Sequence, residues 1–384
     1  MVSVRGHGVR SPVIGWMGDR KSLINSKIGG IVWYWTEWAV VARRVVAFAA
    51  VTAALMGVPT PAAAQQAEPQ FGELIRFLKR DYFSLGVLLQ TVADVQPERT
   101  LPGENGFSVA NFRLLLRGEL DGRYGYFLQT NFAGSPSLLD ASMYYRPSTD
   151  LRLTVGQFKA PFSYEFLTSA SAIDFVNRSQ AVTTLVPGRQ LGLAAAVTPS
   201  AGSFGITAGV FNGNGTAPNG NDGDGVMVVG RFFGTMDVGG ESDHVVVGLN
   251  AAYSDDDNAS FGGGYVTGFT GHRTLLGADF RATVGRFLLS GEVDYAVLDP
   301  ELGTTQHPWG GHATAGYLVR DDTQLLARFD FFDPELGLER RDWMVLGLNV
   351  WPTSVTEFQV NYIVDTRDTA FDHHQLLVNF QFGF

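Results

Sequence analysis

From Phe83 to Phe384 apolar and polar residues alternate with a period of two, and no other feature constrains the fold as tightly. Phe112, Leu114, Leu116 and Leu120 alternate with Asn111, Arg113, Arg117 and Glu119. Leu276, Ala278, Phe280, Ala282 and Val284 alternate with Gly277, Asp279, Arg281 and Thr283. Successive side chains of a strand point to opposite faces, so each such segment has one apolar face and one face of charge and glycine. The pattern predicts strands at 83–92, 107–120, 124–132, 138–146, 150–158, 190–198, 204–212, 226–234, 244–253, 273–284, 287–298, 311–320, 323–332, 342–351, 356–364 and 374–384. Most approach the roughly 9–11 residues that a tilted strand needs to cross a bilayer.

The connections alternate too. Asp121-Gly122, Pro147–Asp150, Pro199–Ser203, Gly285-Arg286, Asp321-Asp322 and Pro352–Val355 are tight. Asn212–Gly225, Ser254–His272, Asp299–Gly310, Asp333–Arg341 and Asp365–His373 are long and polar, and Gly234–Asp243 is a longer turn on the tight side. Short periplasmic turns against long outer loops are the plan of a transmembrane barrel. Tyr144-Tyr145, Phe331-Phe332, Trp343 and Trp351 lie near strand ends, where aromatic girdles form. The last strand finishes on Phe384, as in the signal that outer-membrane barrels present to their assembly machinery. The expected fold is all-β: a 16-stranded antiparallel transmembrane barrel occupying residues 83–384 of a bacterial outer membrane.

The preceding residues read as processing signals. Arg43-Arg44, the apolar run Val45–Val58 and the small residues Ala62-Ala63-Ala64 form a signal peptide over 41–64, cleaved before Gln65. Residues 1–40 read as an upstream extension from a start codon taken too early. Phe71, Leu74, Ile75 and Leu78 follow a helical period, which predicts a short periplasmic helix within 65–82.

Charge and composition exclude several functions. Seven of the 28 basic residues and two of the 38 acidic ones precede Gln65, leaving 21 against 36 and a net charge of −15. Nucleic acid, which needs clustered positive charge, is therefore not an expected partner. With no cysteine there is no disulfide framework or thiolate site. Neither HExxH nor GxSxG occurs, and His244, His272, His307, His312, His373 and His374 fall mostly in predicted loops, so no enzyme, cofactor or metal centre is expected. The oxygen-rich stretches Asn219–Gly225 and Asp255–Asn258 lack the spacing of a calcium loop and read as solvated loops, with lipopolysaccharide bridged by divalent ions as one partner.

The longest connection, Lys159 to Arg189, is rich in Phe, Tyr, Leu, Ile and Val. Such a loop is costly in water and is expected to fold inward and narrow the lumen. Val155-Gly156-Gln157-Phe158-Lys159-Ala160-Pro161-Phe162, Phe166-Leu167-Thr168-Ser169 and Ile173-Asp174-Phe175-Val176-Asn177-Arg178-Ser179 resemble the phosphate-selective porin O and P family. The resemblance implies a homotrimeric porin whose arginine ladder leads to a lysine-bearing constriction. It carries Lys159 and Arg178 over by position as anion-binding residues, and Arg189 adjoins them.

Alternation alone places Arg113, Arg117, Arg152, Arg231, Arg281 and Arg328 on lumen registers, with Arg117, Arg152, Arg231 and Arg281 in the periplasmic half. Guanidinium stays charged and offers a planar fork to phosphate oxygens. The expected function is passive diffusion of small anions, with inorganic phosphate or polyphosphate the favoured cargo. Glu119, Asp279, Glu292, Asp294 and Asp330 share the lumen register, however. If they neutralise the arginines, the result is a general or cation-preferring porin; if the loop seals the lumen, it is a closed structural barrel.

Overall fold

Alternation of this length buries one face of every strand against the lumen contents and leaves the other for lipid, and only a closed sheet satisfies all the backbone groups in a membrane. The computed structural model describes residues 78–384 except 201, 216–219, 222–224, 241–242, 336 and 368–372. They belong to one unit, Leu74–Phe384. The signal peptide, the upstream extension and residues Phe71, Leu74 and Ile75 of the predicted helix lie outside the described residues. Within the segment 65–82, Lys79–Arg80 form a two-residue strand, β1, paired with Phe83 and Ser84.

Sixteen strands follow. The first eight are β2 (Phe83–Val95), β3 (Gly106–Leu120), β4 (Tyr124–Asn131), β5 (Ser137–Tyr145), β6 (Leu151–Lys159), β7 (Arg189–Val197), β8 (Phe204–Phe211) and β9 (Met227–Asp237). The second eight are β10 (His244–Phe261), β11 (Val266–Val284), β12 (Phe287–Pro300), β13 (Trp309–Arg320), β14 (Thr323–Asp333), β15 (Arg341–Thr353), β16 (Thr356–Asp365) and β17 (His374–Gly383). Each pairs antiparallel with its sequence neighbour, and β17 pairs with β2 from Leu376↔Val95 to Gly383↔Leu88, closing the ring.

The wall is uneven. Strands β4 to β8 have 8 or 9 residues, whereas β10 and β11 have 18 and 19. This corrects the sequence reading of Ser254–His272 as a long loop: β10 and β11 run on as a hairpin joined by residues 262–265. The Asp255–Asn258 stretch is strand, and Asp256 is buried in an ion pair with Arg273, 2.8 Å away. A run of aspartates mimics loop composition when one of them has a hidden partner. Among the described residues no cluster could hold a metal ion.

The aromatic pairs at strand ends split between faces, as alternation demands. Tyr145 stacks on Tyr124 on the outer surface, and Phe331 meets Trp309 edge-on. Phe332 instead points inward and is fully buried.

Candidate functional site

The third outer loop, L3 (160–188), carries two short helices, α1 (Tyr164–Leu167) and α2 (Gln180–Leu185). Its backbone is bonded to lumen-facing side chains from β2, β10, β12 and β14 to β17, so it lies inside the barrel. Ser163 N–H donates to Asn250, and Glu165 N–H donates to Glu292. Gln180 N–H donates to Asp330, and Val176 N–H to Asn361. Gln90, Gln381, Gln359 and Asn349 donate in turn to the carbonyls of Ala170, Ser171, Ile173 and Asp174.

Apolar packing reinforces these bonds on the long-strand side. Phe162, Ala181, Val182 and Leu185 join Met227, Val229, Leu275, Leu298 and Phe332 in one buried cluster. Phe175 joins Leu288, Leu326, Val345, Ile363 and Leu377 in another. Two lumen glycines make room for the rings. A Cβ on Gly277 would meet Phe162 at 3.0 Å, and one on Gly347 would meet Phe175 at 2.9 Å.

L3 therefore divides the charged side chains into two groups. Behind it, Arg231 forms a bidentate pair with Asp279, and both side chains are almost fully buried. Arg281 forks onto Asp174 of L3 at 2.6 and 3.0 Å. Arg328 lies between Glu165 of L3 and Asp330, each 3.2 Å away. Arg231 is thus tied to Asp279 of β11 and Arg281 to Asp174 of L3, and neither is a free rung of an arginine ladder. Glu292 and Asp294 are buried in the same region. Burial works against the charge of Glu165, but His312, Arg328 and two hydrogen bonds from Ser179 outweigh it and hold its pKa below the usual carboxylate range.

On the other side of L3, against the short wall, Arg113, Lys159, Arg178 and Arg189 share one electrostatic neighbourhood. Arg189 pairs with Asp140 at 3.1 Å. Arg113, Lys159 and Arg178 have no ion-pair partner within 4 Å among the described residues. Arg113 lines a cavity of about 470 Å³ together with Ser169 and Ser171 of L3, Gln129, Glu357 and Gln381. Toward the periplasm a larger vestibule of about 1040 Å³ is lined by Arg80, Arg117 and Arg152 with Glu119, Asp81 and Tyr144. Arg152 lies over the Tyr144 ring, 3.9 Å from its centroid, and Glu119 is taken by Arg146. Burial away from water lowers the Arg178 pKa, Glu165 opposes this and Arg189 adds to it; a guanidinium so placed keeps its charge at neutral pH.

The family model for phosphate-selective porin O and P matches residues 89–293, just over half of the chain. The chain belongs to that porin family. It is an outer-membrane channel protein with a closed 16-stranded barrel.

Solved structures share the porin's fold at low identity. An anion-selective porin from Comamonas acidovorans superposes with a TM-score of 0.58 at 17% identity, covering 79% of this chain and 99% of that one. Outer-membrane expressed OmpT of Vibrio cholerae gives 0.54 at 12%, covering 80% and 99%. The outer membrane channel DcaP of Acinetobacter baumannii gives 0.53 at 10%, covering 79% and 97%. No curated protein matches the sequence.

Several residues that shape the porin's site escape sequence reasoning. The anchors Glu165 and Asp174 lie inside an apolar loop with no periodic signal. Asp140, the partner of Arg189, is one acid among many. The amide side chains Gln90, Asn349, Gln359, Asn361 and Gln381 do carry a signal, because they alternate with apolar residues where other strands place charge or glycine.

Proposed function

We propose that this porin conducts small anions by passive diffusion, with inorganic phosphate or polyphosphate the favoured cargo. One observation carries the reading: L3 separates the charges. The carboxylates Asp174, Asp279, Glu292, Asp294 and Asp330 are packed behind it with Arg231, Arg281 and Arg328. Arg113, Lys159, Arg178 and Arg189 face the short wall, and Arg117 and Arg152 line the vestibule below. Those five carboxylates therefore need not neutralise the path, on whose side Glu119 is held by Arg146 and Asp140 by Arg189 while Glu357 lines the Arg113 cavity. A row of Arg and Lys favours anions provided that binding is weak enough for release. The anion-selective porin of Comamonas acidovorans supports the same reading through its fold.

A homotrimer fits the uneven wall, whose short strands β4 to β8 offer lipid-facing Leu128, Leu138, Met143, Val155 and Leu193 to a neighbour. One solved OmpT of Vibrio cholerae is described as a trimer form. Lipopolysaccharide around the outer loops and the barrel-assembly machinery complete the proposed partners.

The test is reversal potential in a KCl gradient across planar bilayers holding the refolded barrel, followed by phosphate titration. Anion selectivity with block by phosphate supports the proposal. Cation selectivity without block leaves a general porin, and zero conductance a closed barrel.

A further inference from the structure

Lys159 and Arg113 belong to one cationic group, but their hydrogen bonds differ in kind. A lysine ammonium has three protons to donate. Those of Lys159 go to the carbonyls of Phe166, Leu167 and Thr168, at 2.5, 3.2 and 2.9 Å. These carbonyls cluster at the C-terminal end of α1, where a helix leaves its acceptors unsatisfied and favours a cation. Arg178 reaches the same place, donating from Nη2 to Thr168 O at 2.8 Å and from Nε to Glu165 O at 3.1 Å. The two cations therefore clamp α1 from before and after it in the chain. Lys159 does so from the last residue of β6, Arg178 from the segment leading to α2.

Arg189 is occupied differently, with Nε and Nη2 directed at Asp140 and Nη2 also at Gln129. That leaves Arg113. Its Nε donates to Asn111 at 2.7 Å, while neither Nη group has a hydrogen-bond partner among the described residues. Its side chain faces the cavity that Ser169 and Ser171 line from the L3 side.

We infer that Lys159 is a positioning residue that staples α1 to the rim of β6, and that Arg113 is the guanidinium that touches the passing anion. The inference rests on the anion reading above and divides its site. Lys159 still adds positive potential, but through space, and its removal moves the loop. Arg113 offers a free fork whose loss removes a direct contact.

Salt separates the two effects, because at 1 M the Debye length is about 3 Å and only contact survives. Single-channel currents are recorded at 0.1 M and 1 M KCl for the wild type, Arg113→Met, Lys159→Met and Lys159→Arg, with inorganic phosphate as the blocking probe. Arg113→Met is expected to raise the half-blocking concentration about tenfold at both salts, the scale of one charge-assisted contact, with a quiet open channel. Lys159→Met is expected to shift block about threefold at 0.1 M and hardly at all at 1 M, with a noisy open level that Lys159→Arg quietens. A quiet Lys159→Met channel with a salt-independent loss matching that of Arg113→Met overturns the inference. If the wild type shows neither block nor anion preference, the anion reading fails by itself. The noise of Lys159→Met against Lys159→Arg then still decides whether Lys159 is the staple, and a quiet Lys159→Met channel overturns that too.

Discussion

Arg328, held by Glu165 of L3, shows why arginines that share the lumen register do different work. Arg328 is almost fully buried between Glu165 and Asp330. Removing one member of such a group strands a charge and costs about 3–5 kcal/mol. Glu165 accepts from Ser179 N–H, Ser179 Oγ–H and Arg328, and its folded pKa is depressed. A depressed acid contributes stability that is present above its unfolded pKa, near 4.5, and is lost as pH falls through the lower folded value. The urea midpoint of Glu165→Gln is therefore expected to lie below that of the wild type by the equivalent of about 3 kcal/mol from pH 8 down to about 5. The gap should close at more acidic pH. A gap that keeps its full size at the acidic end, where Glu165 is protonated in the folded and unfolded chain alike, would mean that the carboxylate charge is not what holds L3. Sequence alone could put Arg328 on a lumen register because alternation is local. It could not say that Glu165, 163 residues away, would claim it.

At the scale of elements, L3 behaves as a second core. Phe162 and Phe175 seat in the hollows over Gly277 and Gly347, each with a buried apolar ring of neighbours. Phe162→Ala is expected to cost about 3–5 kcal/mol, as for a large core deletion. Because Phe162 fixes the loop and no strand pair, the loss should register as a wider, fluctuating conductance in a barrel that still migrates as folded on an unheated gel. Loss of the folded band would instead place Phe162 in the barrel's own stability. The inward fold of L3 was legible from its apolar content and its length. The β10–β11 overhang was not, because Asp255, Asp256 and Asp257 carry loop composition, and their partners across the hairpin, His272 and Arg273 among them, show only in the folded chain. The strand boundaries otherwise follow the period closely, since each lipid-facing residue must be apolar wherever the wall meets the membrane.

At the scale of the whole molecule, a chain with a surplus of acids can present a cationic path, because net charge says nothing of which charges share a compartment. The fields that select ions through water weaken with salt, whereas the pairs behind L3 do not feel it. The anion-to-cation permeability ratio is therefore expected to fall severalfold between 0.1 M and 1 M KCl, while the urea midpoint of the barrel moves little. A ratio that ignores salt would point to a size filter. The closure between β17 and β2 has a different consequence, one for assembly. Gln90 and Gln381 hydrogen-bond across that seam although 291 residues separate them. Every other strand pair joins sequence neighbours and can form as soon as its hairpin exists, but this one must bring the first barrel strand to the last. Its loop-closure entropy is the largest in the barrel, so the ring shuts late. Until it does, two long strand edges stand open to any foreign strand, and the molecule needs shelter until the seam is made.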